Sequence, residues 1–350
     1  MAQQTGTLDI PSLQRNRDTT VAALGLDQVN AVLQTDLAAY NQNRQDMVSE
    51  MAEITTDRIE QAGGGSSTEM QEVDEYGRSA TQKAKQGANL GYPLKLFQYA
   101  IGWTRSYFDQ ATPADLAEQY LAARSADVRN VITELKRAIF RATNYTFRDK
   151  RVAPSIDLPV KRWANADDFP IANGPNNEEY DAATHSHFTA NATLTAGTFL
   201  TAINGVAEHS TSGMVRAAIN IADETAVRAL SGFVPLVDTR LTLDVTANQP
   251  TQRLDFTRMN NRPIGYLGPA EVWVKPWAYA NYAFIWDAAG RKPIKFRERR
   301  AGSSTLRIAA ELDAYPLHAQ YMESEFGIGI RDRTRGGVFY FADTTYADPL

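Results

Sequence analysis

Residues 112–143, TPADLAEQYLAARSADVRNVITELKRAIFRAT, read as one long helix from either end. Thr112 can cap the first free amides through its hydroxyl, and Pro113 occupies the first helical position, where a missing N–H costs nothing. Asp115 and Glu118 sit near the positive end of the helix dipole; Lys136, Arg137 and Arg141 sit near the negative end. No glycine or proline interrupts residues 114–143, so at about 1.5 Å per residue the rod is about 45 Å long. Val128, Val131, Ile132, Leu135, Ala138, Ile139 and Ala142 recur at three- and four-residue steps and form one apolar face. The first half is leaner, with Leu116, Tyr120 and Leu121 among alanines. This pattern predicts a C-terminal half anchored in a core and an N-terminal half running out over a surface. Any bend should fall at residues 124–127, where the apolar face thins. An ordinary core-packed helix is the plainer reading of the same residues.

Toward the N-terminus, residues 1 to about 25 are polar and punctuated by Pro11 and Gly25, the pattern of an extended arm with few contacts of its own. Asp27 can cap a helix carrying Val29, Leu33, Leu37 and Tyr40 on one side. ITTD within residues 46–61 favours a strand, although Met47, Met51 and Ile54 also continue the helical stripe. Gly63, Gly64 and Gly65 then mark a turn or tip, since each disfavours regular structure by about 1 kcal/mol relative to alanine. Apolar residues are scarce from about 55 to 90, so a hairpin here cannot hold itself together in water. Either it is a mobile surface loop or it is ordered by lying on another subunit. YPLKLFQYAIGWT, residues 92–104, is an aromatic-rich strand or short helix feeding the long helix.

Beyond the long helix, residues 144–177 are rich in Pro, Asn and Asp and predict an irregular excursion. Thr195 caps a helix with Phe199, Leu200, Ile203, Val206 and Ala207 inward. MVRAAINI follows as a buried strand, and Asp223 caps a short helix, ETAVRAL, stopped at Gly232. After a connection over residues 234–263, strands arrive in succession: AEVWVKPW, YAFIWD, PIKFRER, STLRIAAEL, YMESEFGIGIRD and GGVFYFAD. Helices first and strands last indicate an α+β protein with helices against antiparallel sheets. Gly327 and Gly329, two apart, suit a strand approached closely by another backbone.

The 350 residues suffice for one large or two medium domains. With no cysteine, disulfide and thiolate chemistry are excluded and a reducing compartment is expected. A net charge of −5 argues against a protein devoted to gripping nucleic acid. No apolar run is long enough for a membrane span, and no signal-peptide pattern is visible at the start.

Motifs for chemistry are sparse. The four histidines are His185, His187, His209 and His318; His185-Ser186-His187 with Glu208-His209 is a weak metal pattern, so no metal, cofactor or catalytic residue is predicted. The triple glycine lacks the Gly-Lys-Ser/Thr of a P-loop, and no nucleophile elbow is present. One basic cluster stands out: Arg291, Lys292, Lys295, Arg297, Arg299 and Arg300. On a strand, Lys295, Arg297 and Arg299 share a face. That face is expected to meet Glu69, Glu72, Asp74 and Glu75 of a neighbouring copy, fixing register at an interface together with the Gly63–65 tip.

The order of parts resembles a tailed-bacteriophage major capsid protein of the Hong Kong 97 fold. The resemblance covers nearly the whole chain from about Asp27. It is carried by ITTDRIEQAGG, YPLKLFQYAIGWT, LTAGTFLTAINGVAEHSTSGMVRAAINIADETAVRALSGFVPL, VWVKPWAYANYAFIWD and EFGIGIRDRTRGGVFYFAD. It implies an N-terminal arm over 1–45 and an extended loop over 46–92. A peripheral domain over 93–190 and 301–350 would contain the spine helix 113–143, and an axial domain would span 191–300.

The resemblance further implies a non-enzymatic subunit that self-assembles as pentamers and hexamers into an icosahedral shell around double-stranded DNA, held without sequence specificity. Assembly in the cytoplasm of a bacterial host would place it in the virion, with a portal, a possible decoration protein, and no membrane. With only about 25 residues before the first expected helix, a separate scaffolding protein is expected. Some members cross-link a loop lysine to an asparagine; Lys83 and Lys85 lie in that loop, but no acceptor is identifiable and no bond is predicted. The alternatives are an encapsulin-like cargo shell and, from another class, a cytoplasmic enzyme with a mobile lid at residues 55–90.

Overall fold

The computed structural model of the protein describes residues 9–65, 70–81, 84–210, 213–236, 243–244, 249–250, 261–315 and 317–350. The long helix runs Pro113–Phe140, about a turn shorter than the sequence pattern allows. Its start is a full capping box. The Asp115 backbone N–H donates to Thr112 Oγ1, and the Asp115 carboxylate accepts from the Thr112 backbone N–H. Val131, Ala138 and Ile139 are buried, with Val128, Ile132, Leu135 and Ala142 partly so.

The N-terminal half of this helix departs from expectation. Ala114, Leu116, Ala117, Tyr120 and Ala123 are all buried. Residues 10–24 do not form an extended arm: Ile10–Arg15 and Val21–Leu24 are short helices, capped by Asp9 and Thr20. They bury Ile10, Leu13 and Val21 in the same cluster as Leu116, Ala117 and Tyr120. Alanines leave room for that close approach, so the leanness of the face reflects a tight contact rather than an open surface.

Leu26–Ser49 is a second long helix whose Val29, Leu33, Leu37 and Tyr40 stripe joins this cluster. At residue 127, where the apolar face thins, the gap is filled by a polar group. Buried Asp127 takes Arg44 Nε at 2.8 Å, Tyr40 Oη at 2.8 Å and Ser324 Oγ at 2.8 Å.

Two sheets complete the molecule. In the first, the strand Leu317–Ile330 is central. One edge pairs with Arg307–Ala314 and then with Ile294–Glu298; the other pairs with Lys95–Thr104. Ala52–Thr55 adds parallel to Ile294–Glu298, so the start of the ITTD segment lies in an edge strand directly after the helix. Gly327 and Gly329 are required here: a Cβ at Gly327 would lie 1.9 Å from the Pro93 carbonyl oxygen, and one at Gly329 would lie 2.7 Å from the Tyr92 ring.

The second sheet has seven strands in the order Phe188–Ala190, Gly336–Tyr340, Tyr282–Asp287, Val215–Ile219, Ala270–Val274, Arg262–Leu267 and Phe233–Pro235. Tyr282–Asp287 is buried along its whole length, which explains the unbroken apolar run of YAFIWD. The helix Ala196–Ala207, capped by Thr195, lays Phe199, Ile203 and Val206 on this sheet. Both sheets mix parallel with antiparallel pairs, where the sequence suggests antiparallel pairs alone. The sheets also cut across sequence position, since Ile294–Glu298 belongs to the first and Gly336–Tyr340 to the second.

Two local expectations change. Residues 144–177 begin with an antiparallel hairpin, Tyr145–Asp149 with Ile156–Val160, that buries Leu158 and Val160. Asp223 does not cap the following helix with its side chain; its carboxylate accepts from the Asn281 backbone N–H at 3.0 Å. The connection over 234–263 lies largely outside the described residues.

Candidate functional site

The basic cluster turns inward. Ile294–Glu298 is sandwiched, and every one of its residues is buried. Lys295 Nζ lies 3.2 Å from Glu53, and Arg297 lies 2.8 Å from Asp149 while donating to the Tyr92 carbonyl at 2.6 Å. Arg331 binds both Glu53 and Glu60, so the carboxylates that meet these cations come from their own chain. Lys295 and Arg297 are therefore corrected from interface residues to internal ones. A charge this deep is tolerated only when its partners are fixed, and here strand pairing fixes them. Arg299 differs: its side chain is exposed, and its backbone N–H donates to Ser303 Oγ.

The Gly63–65 stretch closes the base of a projecting hairpin. Ile59–Ala62 pairs with Ala88–Gly91, and Gly65 bridges Lys85. Gly63 has φ +75°, and a Cβ there would fall 1.8 Å from the Pro170 carbonyl oxygen. The hairpin base thus rests on its own chain. Lys85 extends this, meeting Asn173 at 2.8 Å and Glu179 at 3.0 Å.

Farther out the picture reverses. Residues 70–81 are exposed throughout, with Met70 99 % and Tyr76 92 % accessible and Val73 half exposed. Glu72, Asp74 and Glu75 lie between these apolar side chains and are exposed with them. Glu69 and Lys83 lie outside the described residues.

A second projection has no counterpart in the sequence reading. The ribbon Arg307–Ala314 with Leu317–Ile330 leaves the core, and residues 309–315 are exposed, with Leu312, Tyr315 and Leu317 at its end. The signal available was three large apolar residues around Pro316 in a segment otherwise suited to a turn.

The weak histidine pattern becomes a cluster. His185 Nε2 lies 2.9 Å from His187 Nε2 and 2.9 Å from His209 Nε2. His187 and His209 are buried and His185 half-buried. His187 Nδ1 is 2.9 Å from the Gly336 carbonyl oxygen. Burial, followed by the neighbouring imidazoles, holds His187 well below the ordinary histidine range; the same causes bring His209 down to about 3. Glu208 Oε1 stands 3.7 Å from His185 Nε2 and 3.5 Å from His209 Nε2. His318 is apart, stacked on Trp103.

A cleft of about 540 Å³ lies between the hairpin base and residues 169–172 and 331–334. Its arginines are engaged: Arg331 with Glu53 and Glu60, Arg333 with Asp167 and two carbonyls. Among the described residues, no helix is long and apolar enough to cross a membrane.

No protein-family model matches the chain, and no curated protein matches its sequence. Solved structures do. A chain from Mycobacterium phage Patience overlays with a TM-score of 0.68 at 20 % identity, covering 99 % of this chain and 96 % of that one. The capsid of an empty GTA particle gives 0.46 at 12 % identity, over 84 % and 89 %. A virus-like particle from Pyrococcus furiosus gives 0.42 at 8 % identity, over 88 % and 97 %. At 20 % identity over nearly the full length, the likeness to the Patience chain is one of fold, and the mixed helix-and-strand architecture is the α+β class anticipated from the sequence.

Proposed function

We propose that the chain is a structural shell subunit, a major capsid protein that assembles as pentamers and hexamers into an icosahedral shell around double-stranded DNA. The observation that carries this reading is the loop 70–81. It holds Met70 and Tyr76 almost fully in solvent on a hairpin whose base alone is supported by its own chain. Met70, Val73 and Tyr76 bring three exposed apolar side chains together on one short projecting segment, and grouped exposure of this kind marks interaction surfaces. The fold shared with the Patience phage chain supplies the context. Gly63, Gly64 and Gly65 set the arm's direction; Glu72, Asp74 and Glu75, with Arg299, are the charged groups free to fix register on a neighbour.

In this reading the seven-stranded unit lies toward the symmetry axes, and the first sheet with the long helix forms the peripheral part. The subunit works without a cofactor or catalytic step. It is made in the cytoplasm of a bacterial host and ends in the virion. A separate scaffolding protein, a portal and in some shells a decoration protein are its partners. DNA contact is general, in keeping with a mildly acidic subunit.

The test is the size of the purified protein, by sedimentation and by negative-stain microscopy. Capsomers or closed shells are expected. A stable monomer of 38.7 kDa at all concentrations overturns the proposal. An encapsulin-like shell is the second outcome: particles that carry protein cargo and no nucleic acid, read from their absorbance ratio, replace the DNA-packaging part of the reading.

A further inference from the structure

We infer that His185, His187 and His209 form a binding site for a divalent late transition ion, zinc foremost, with Glu208 or one water as the fourth ligand. Two features of the geometry separate this from a set of hydrogen-bonded imidazoles.

The first is donor and acceptor balance. His185 Nε2 faces two other Nε2 atoms at 2.9 Å each. A ring nitrogen carries either one hydrogen or one in-plane lone pair, so it completes one such bond well and not two. His187 adds to the surplus. Its Nδ1 faces a carbonyl oxygen that can only accept, so Nδ1 holds the hydrogen and Nε2 presents a lone pair to the cluster. Converging lone pairs repel unless a cation stands between them. The contact to Gly336 is also the outer partner that ligating histidines ordinarily have, fixing tautomer and ring orientation.

The second is spacing. Zinc–nitrogen bonds of about 2.0–2.1 Å at angles of about 90–110° hold ligand nitrogens about 2.9–3.4 Å apart. The His185 separations fall in that range, and all three nitrogens lie within 4.8 Å of one another. Glu208 Oε1, at 3.5 and 3.7 Å from two of them, stands where a fourth ligand belongs.

The fold places these ligands on separate elements. His185 and His187 lead into the edge strand Phe188–Ala190, while His209 and Glu208 end the helix Ala196–Ala207. Tyr180 closes the outside, its ring 4.2 Å from His209 and 5.0 Å from His185. The neighbouring cavity beside His187 is about 20 Å³, room for a water and not for a substrate. The ion is therefore structural. It ties the end of a helix to the edge of the seven-stranded sheet.

The experiment uses the untagged full chain, stripped with a chelator and titrated with Zn²⁺ against a chromogenic competitor, and separately with Co²⁺. Wild-type protein should bind one ion per chain, show the visible absorption of low-coordinate Co²⁺, and unfold at a higher temperature with Zn²⁺ than without. His209→Gln and His187→Gln should weaken Zn²⁺ binding by at least about 100-fold; His318→Gln should leave it unchanged. If the buried positions do not tolerate substitution, half-buried His185→Gln provides the same readout. Wild-type protein that binds no stoichiometric ion, or His185→Gln that binds as wild type does, overturns the inference.

Discussion

Arg297 donates to the Asp149 carboxylate at 2.8 Å with both side chains closed off from water, and the two residues sit 148 positions apart in the chain. The pair joins the strand Ile294–Glu298 to the hairpin that follows the long helix. Removing one member leaves the other buried without its main charge partner, although Arg297 keeps the Tyr92 carbonyl and Asp149 keeps Arg58. Asp149→Ala and Arg297→Met should each cost about 3–5 kcal/mol, read as a lowered denaturant midpoint at constant slope. A change within experimental error would mean that water reaches the site.

The same pair predicts an acid limb. Burial alone would raise the Asp149 carboxyl, but the hydrogen bond and charge of Arg297, with help from the Arg151 backbone N–H and Arg58, hold it below the ordinary range. Asp167 is lowered likewise, with Arg333 outweighing burial. A carboxyl depressed in the folded state stabilises fully above its unfolded value of about 3.9, and that contribution is lost as pH falls through the folded value. Stability should be level above about pH 5 and fall below pH 4. Asp149→Asn should show a shallower fall, measured by urea denaturation at each pH.

Asp127 interrupts the apolar face of the long helix at the point where a bend would be expected, yet the Tyr40 and Ser324 hydroxyls donate to it and the Arg44 guanidinium pairs with it. Asp127→Ala leaves the Arg44 guanidinium buried without its carboxylate. A loss of about 3–5 kcal/mol is expected. Amide exchange should rise in the middle of Pro113–Phe140 more than at its capped start.

Gly63→Ala combines a left-handed backbone with a Cβ placed on the Pro170 carbonyl. It should cost more than the roughly 1 kcal/mol of an ordinary strained alanine and should loosen the hairpin base. The reading is faster amide exchange over 59–62 and 88–91. Gly205→Ala, in helix with nothing within 4 Å of its Cβ, is the control and should be neutral or stabilising by up to about 1 kcal/mol.

Met70→Ser with Tyr76→Ser tests the arm itself. These side chains touch little of their own chain, so monomer stability should stay within about 0.5 kcal/mol. Assembly should be slowed or abolished in a light-scattering assay. Normal shells from this variant would remove the arm's apolar residues from the interface. A cut across Gly63–65 would answer less cleanly, because Gly63 also seats the hairpin on Pro170.

Much of this molecule was legible in its residues. Thr112, Pro113 and Asp115 mark a helix start by local chemistry alone, and the capping box forms as those positions dictate. YAFIWD and the paired Gly327 and Gly329 announce burial and close backbone approach, because each is a property of one strand. What escaped depends on partners far away in sequence. Lys295 and Arg297 look like a surface face until Glu53 and Asp149 arrive from earlier segments. Pro11 looks like a breaker, but after the Asp9 cap it occupies a first turn, where proline starts helices. The histidine trio shows in the sequence only as a weak pattern, because two segments separated by the helix Ala196–Ala207 must meet to form it.

The strand Leu317–Ile330 is flanked on both edges, and Gly336–Tyr340 sits between Phe188–Ala190 and Tyr282–Asp287. Both sheets are thus completed from the far end of the chain. During translation, the segments that precede these strands emerge with their edges open and nothing to close them. Such edges are the surfaces on which nascent chains pair wrongly. Neither sheet can close its central pairings until residues 317–340 have been synthesised.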